Sequence, residues 1–128
     1  RRVPSDLAFR SLRDAGATLA FGSDWFVAPP TPLEGLYAAV TRQDAKGMPP
    51  GGWYPEQKMT MSEAIAAFTS GAAYAEGAEA TRGVLAVGRH ADLTVFSGKL
   101  APDHSLLDLH VDYTIVDGEI VYQREQSR

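Results

Sequence analysis

The sequence predicts an α/β chain. Three observations predict it: a helix signal that runs into a short apolar strand between residues 5 and 21, a capping box at Thr60-Met61-Ser62-Glu63, and a hairpin signature at Asp117-Gly118. Helical spacing governs the chain as far as Gly77, and period-two patterning with short strands governs the remainder, so the expected division is residues 1–78 and residues 79–128.

Ser5 or Asp6 is placed to cap a first helix that runs to about Ala15, with Ala8, Leu12 and Ala15 on one face and Gly16 as its left-handed stop. Ala17-Thr18-Leu19-Ala20-Phe21 comes next as a nearly continuous apolar run, the pattern of a parallel strand buried on both faces. Gly22 to Pro32 reads as a loop, because Pro29, Pro30 and Pro32 exclude helix and hold the backbone extended. Leu33, Leu36, Tyr37 and Val40 then recur at helical spacing, which predicts a second helix from Thr31 or Pro32 to about Asp44. Residues 46–57, rich in Gly, Pro and aromatics, read as a long irregular loop of the kind that often carries function or covers a site.

The capping box opens a third helix with Met61, Ile65, Phe68 and Ala72 as its buried stripe. Asp92 to Phe96 reads as a strand entered from the turn Val87-Gly88-Arg89-His90. A two-residue Asp117-Gly118 turn of type I′ pairs Ile115 with Ile120 and Tyr113 with Tyr122, all four on one face. Three strands do not make a sheet with two covered faces, so further partners are expected.

Composition narrows the function classes. The chain has 128 residues, 45% apolar and 22% charged, as soluble globular proteins do. Net charge is −4 with a pI near 5.3, and the twelve Lys and Arg residues are scattered, which argues against nucleic acid as a partner. No apolar run approaches the ~20 residues of a membrane helix, so no membrane association is expected. The absence of cysteine excludes disulfides and thiolate metal sites and fits a cytoplasmic location. The chain begins at Arg1 and enters a helix signal at once, which gives the expectation of a preceding segment.

Three segments together resemble the metal-dependent amidohydrolases of the long-chain formamide-deformylase and exoenzyme-regulatory type. Gly22-Ser23-Asp24-Trp25 after an apolar strand is similar to that family's last barrel strand and its metal-facing aspartate. Pro55-Glu56-Gln57 leading into Thr60 to Ile65, Phe68-Thr69 and Ala72-Ala73 resembles the helix that comes after barrel closure. Gly83 to Leu93 with the late hairpin resembles the chain's return into a small β-sandwich, and it is the most specific of the three.

The resemblance implies the C-terminal part of a (β/α)8 hydrolase barrel in residues 1–78 and strands of an accessory β-sandwich in residues 79–128. It implies hydrolysis of a non-peptide C–N bond in a small amide or cyclic amide, with one or two divalent metals, usually zinc, activating water. Asp24 would inherit the roles of metal ligand and catalytic proton shuttle, and active sites of such barrels lie at the strands' C-terminal ends. Trp25 would line the substrate pocket, and Arg42 would reach a substrate anion or a loop carboxylate.

The family's His-X-His pair, bridging acid or carboxylated lysine, and two further histidines have no counterpart here; His90, His104 and His110 all lie in the β-rich tail. A zinc site needs three or four ligands, so the chain alone is expected to bind no catalytic metal and to be inactive. Plainer readings stand beside these: Asp24 as a carboxylate capping a turn, Trp25 as packing, Arg42 as a helix-end ion-pair residue. His90 and His110 with Asp92 or Asp112 match no ligand spacing. The rival class is a non-catalytic α/β protein, standing alone or as a homo-oligomer that covers its strand edges.

Overall fold

The computed structural model describes residues 7–125. Four short α-helices precede three strands: α1 (Phe9–Asp14), α2 (Pro32–Thr41), α3 (Met61–Ala66) and α4 (Ala72–Glu76), then β1 (Leu93–Phe96), β2 (Val111–Val116) and β3 (Glu119–Gln123). Single 3-10 turns lie at Pro55–Gln57 and His104–Asp108.

The first helix is shorter than its pattern suggests. Ser5 and Asp6, its expected caps, lie outside the described residues, and Leu7 at φ 56 with Ala8 delays the first helical residue to Phe9. Its stop is the predicted one: Gly16 takes φ +93, its N–H reaches Arg13 O, and Ala17 N–H reaches Leu12 O, the paired bonds of a Schellman motif.

Residues 17–21 depart from the expected buried strand. Among the described residues they pair with no strand, and Ala17, Thr18 and Ala20 are exposed. A strand needs at least one neighbour to bond with, and the three strands among the described residues pair only with one another. The segment lies instead against the helix that begins at Met61, where Phe21 N–H donates to Ala67 O at 3.0 Å.

α2 begins as predicted, with Thr31 capping through its side chain and Pro32 in the first turn. It ends at Thr41, short of Asp44, because Arg42 turns left-handed at φ 60 and its carbonyl accepts from Trp53 N–H at 2.8 Å. The Thr60 capping box is formed in full, with Thr60 and Glu63 side chains each accepting from the other's backbone N–H. From there the chain stays helical to Glu76 but passes through a π turn at Ala67–Gly71, and Gly77 at φ 76 ends it. The deepest positions are the small residues Ala64, Ala67, Gly71 and Ala73, while Met61, Ile65 and Phe68 are half-buried around them.

The core joins α2, α3 and the His104–Asp108 turn: Leu36, Tyr37, Ala39, Val40, Ala64 and Leu106 are buried together. Phe21 packs edge-on between Phe9 and Phe68, with ring centroids 5.0 and 5.5 Å away.

The sheet is antiparallel in the order β1-β2-β3. Asp117 at φ 52 and Gly118 at φ 84 supply the two positive φ values that a type I′ turn requires, and Ile115 pairs with Ile120 as expected. The second expected pair is corrected: Tyr113 faces Gln123, and Tyr122 faces Thr114. Val121 is the extra residue of a β-bulge, and one inserted residue shifts every later pair by one.

Candidate functional site

Asp24 sits on a turn three residues beyond Phe21, at φ 52, and the turn closes through Val27 N–H to Asp24 O at 2.7 Å. Aspartate tolerates this left-handed conformation better than most side chains, so the local sequence suits the backbone. Its side chain is exposed, and among the described residues it makes no hydrogen bond or ion pair. Nothing local therefore directs the carboxylate; its position is fixed by the backbone on either side.

Trp25 is 61% exposed, and its ring lies 5.5 Å from that of Phe26, which with Val27 is more exposed still. Asp24 is the one charged residue between Asp14 and Glu34. The turn thus presents a single carboxylate beside two aromatic rings and an aliphatic side chain.

Arg42 occupies a different place. The Asp24 loop leads into the N-terminal end of α2, and Arg42 caps the C-terminal end, about 15 Å further on at 1.5 Å per residue. It is only 8% exposed; Nε donates to Trp53 O and Nη1 to Leu7 O, each at 3.0 Å, and the guanidinium lies 4.9 Å from the Trp53 ring centre. Burial lowers its pKa from the ordinary arginine value, with Glu56 acting weakly in the other direction. Its second amino nitrogen, Nη2, is buried without a partner among the described residues. The resemblance implies that Trp25 lines a substrate pocket and that Arg42 reaches a substrate anion or a loop carboxylate; the contacts of Arg42 here tie the segment before α1 and the 46–57 loop to the end of α2. That loop is hydrogen-bonded back to the end of α2: Gln43 Nε2 donates to Gly47 O and Pro49 O, and Trp53 N–H to Arg42 O.

The ion pairs that matter structurally lie elsewhere. Arg10 and Arg13 both meet Glu63, the second residue of the capping box, and the Arg10 hydrogen bond is the main cause holding the Glu63 carboxyl down at about 2, against a smaller opposing effect of burial. The tail histidines are separated: His90 Nδ1 meets Asp117 Oδ1 at 2.8 Å, His104 Nε2 meets Ala45 O at 3.1 Å, and His110 Nε2 meets Asp112 Oδ1 at 3.4 Å.

Among the described residues, no group of three or more His, Cys, Asp or Glu side chains could hold a metal ion. Asp24 offers one oxygen donor where three or four ligands are needed, so the donor set does not fit a closed metal centre made by these residues alone. No helix of the described residues is long and apolar enough to cross a membrane. The π turn at Ala67–Gly71, which touches the segment leading to Asp24, carries no residue pattern that separates it from an ordinary helical turn.

The amidohydrolase family's model matches residues 2–122. YtcJ of Bacillus subtilis (strain 168), which carries the name of an amidohydrolase, is 33% identical over 125 residues, covering 96% of this chain and 24% of its own length. N-substituted formamide deformylase of Arthrobacter pascens is 31% identical over 120 residues, 92% of this chain and 22% of its own. Protein LONG AFTER FAR-RED 3 of Arabidopsis thaliana is 35% identical over 100 residues, 76% of this chain and 16% of its own. The chain therefore spans about a quarter or less of the length of these curated relatives, and no solved structure matches it. A family match over residues 2–122, with relatives above 30% identity across most of the chain, leads to one conclusion: the chain belongs to the amidohydrolase family.

Proposed function

We propose that this chain is the C-terminal portion of a metal-dependent hydrolase that cleaves non-peptide C–N bonds in small amides or cyclic amides, and that Asp24 is its contribution to the metal site. In this reading residues 1–78 belong to the hydrolase barrel and residues 79–128 to an accessory sandwich, in a cytoplasmic enzyme. The divalent metal, zinc in this reading, supplies an activated water when bound. Because the described residues offer it one ligand, no step through the metal is assigned to this chain by itself, and the isolated chain is inactive.

What the chain supplies is a carboxylate able to act as one oxygen ligand and to accept and return a proton. Trp25, exposed beside it, is the substrate-lining residue of this reading. For Arg42 the enclosed position favours a role in holding the fold over contact with a substrate anion. The observation that carries the proposal is the Asp24 turn: an exposed carboxylate without a side-chain partner among the described residues, in a chain of the amidohydrolase family.

The test joins this chain to the N-terminal part of the Arthrobacter deformylase in place of the segment it matches, and measures deformylase activity and zinc content. Asp24→Asn is expected to lower kcat/KM at least ~100-fold with an unchanged circular dichroism spectrum. An Asp24→Asn protein as active as its parent would remove Asp24 from the mechanism. Stoichiometric zinc that survives dialysis of the 128-residue chain alone would overturn the incomplete-site reading.

A further inference from the structure

Besides the packing of the Phe21 ring between Phe9 and Phe68, two backbone contacts hold the segment that delivers Asp24, and both come from the π turn. Phe21 N–H donates to Ala67 O at 3.0 Å. A π turn bonds with one residue more per turn than an α-helix, which swings carbonyls away from the regular ladder and leaves them available to an outside donor. The second contact is steric. A Cβ on Gly71 would lie 2.0 Å from Leu19 O and 3.1 Å from Leu19 C, so helix backbone and segment backbone touch where a side chain would separate them. Gly71 has an ordinary helical φ of −67°, and its glycine is required by this approach, not by its own conformation.

Between Phe21 and α2 the chain has no other comparable anchor: Gly22, Ser23 and the Asp24 turn make no further backbone bond among the described residues beyond Val27 N–H to Asp24 O. Asp24 itself has no side-chain partner among them. On its upstream side the turn is therefore positioned by residues 19–21, whose backbone is held by Ala67 and Gly71.

We propose that Gly71 is a positioning residue for Asp24, acting through the close approach to Leu19 and the Ala67–Phe21 hydrogen bond. The functional meaning rests on Asp24 being the chain's metal ligand, but the positioning itself can be tested on this chain without catalysis. In the wild-type chain the Phe21 amide should exchange with deuterium at least ~100-fold more slowly than the amides of Ser23 and Trp25, since it is bonded to helix and they are not. An amide at Phe21 that exchanges as fast as those of the Asp24 turn overturns the proposal, whatever any variant does.

Gly71→Ala should then shift the amide and carboxyl resonances of Asp24 and Trp25, and speed Phe21 exchange at least ~10-fold, with the resonances of β2 and β3 left in place. Ala72→Gly weakens the same helix without touching Leu19 and should leave Asp24 resonances where they were. A folded Gly71→Ala chain with unmoved Asp24 resonances, or an Ala72→Gly chain that moves them equally, refutes the positioning role. An active Asp24→Asn protein in the joined enzyme would sink the functional reading alone and leave the exchange and resonance results standing.

Discussion

The helical half and the β-rich tail handle their apolar side chains in opposite ways. Around α2 and α3, Ala64 is fully enclosed and Leu36 and Tyr37 nearly so, whereas on β3 Ile120 and Val121 are each 60% exposed and every residue of the strand faces solvent. The helical half buries its core within itself and against the 3-10 turn that carries Leu106. The sheet is held by its ladder and its turn, with β2 half-buried and β3 open to solvent, and a small sheet covered so little gains less from burial. The difference shows that regular hydrogen bonding and burial are separate sources of order, and that in this chain they reside in different places.

Leu106 is where the two regions meet, since it lies in the tail but is enclosed by α2 and α3 residues. Leu106→Ala is expected to cost about 2–5 kcal/mol in urea unfolding, the range for emptying a packed site, and a cost under about 1 kcal/mol would mean that the tail is only loosely docked. Arg42→Ala should rank next at about 2 kcal/mol, because Trp53 O and Leu7 O lose a charged donor in a part-buried setting. Lysine should not restore that loss, since one ammonium cannot reproduce the fork that reaches both carbonyls. Equal stability for arginine and lysine at this position would refute the clamp.

A smaller effect separates the regions by pH. Glu63 has a folded pKa depressed to about 2, below the carboxylate value of an unfolded chain, so its contribution is present above the unfolded value and is lost as pH falls through the folded one. The urea midpoint of the wild-type chain should therefore fall between about pH 5 and pH 2, and Glu63→Gln should flatten that part of the profile. An unchanged slope would assign the acid sensitivity elsewhere. Least of all, Val121→Thr on the exposed bulge should change stability by less than about 0.5 kcal/mol, and a loss above about 1 kcal/mol would show that β3 has a cover after all.

Much of this fold could be read from residue order, and the exceptions have physical causes. Thr60 and Glu63, the Thr31-Pro32 helix start, Gly16 and the Asp117-Gly118 turn all act over three or four residues, so local chemistry determines them. The Tyr113–Tyr122 pairing failed because a bulge depends on how two strands settle against each other, and Val121 carries no mark of it. Residues 17–21 have the composition of a buried strand but no strand beside them, which composition cannot reveal. At the candidate site, Asp24 was legible as a carboxylate after an apolar run. The burial of Arg42 and the backbone contact at Gly71 were not, because both arise from segments far apart in sequence meeting in space.

The Asp117-Gly118 turn also does something a free hairpin tip does not. Asp117 N–H donates to Asp92 Oδ1 at 2.8 Å, Gly118 N–H to Ala91 O at 3.1 Å, and the Asp117 carboxylate meets His90. The tip of one hairpin is thereby riveted to the start of β1, and all three strands share a single fixed hinge line. The register slip between β1 and β2 falls at the opposite end, between Val95 and Phe96, so the irregular end of that pair is the one farthest from this rivet.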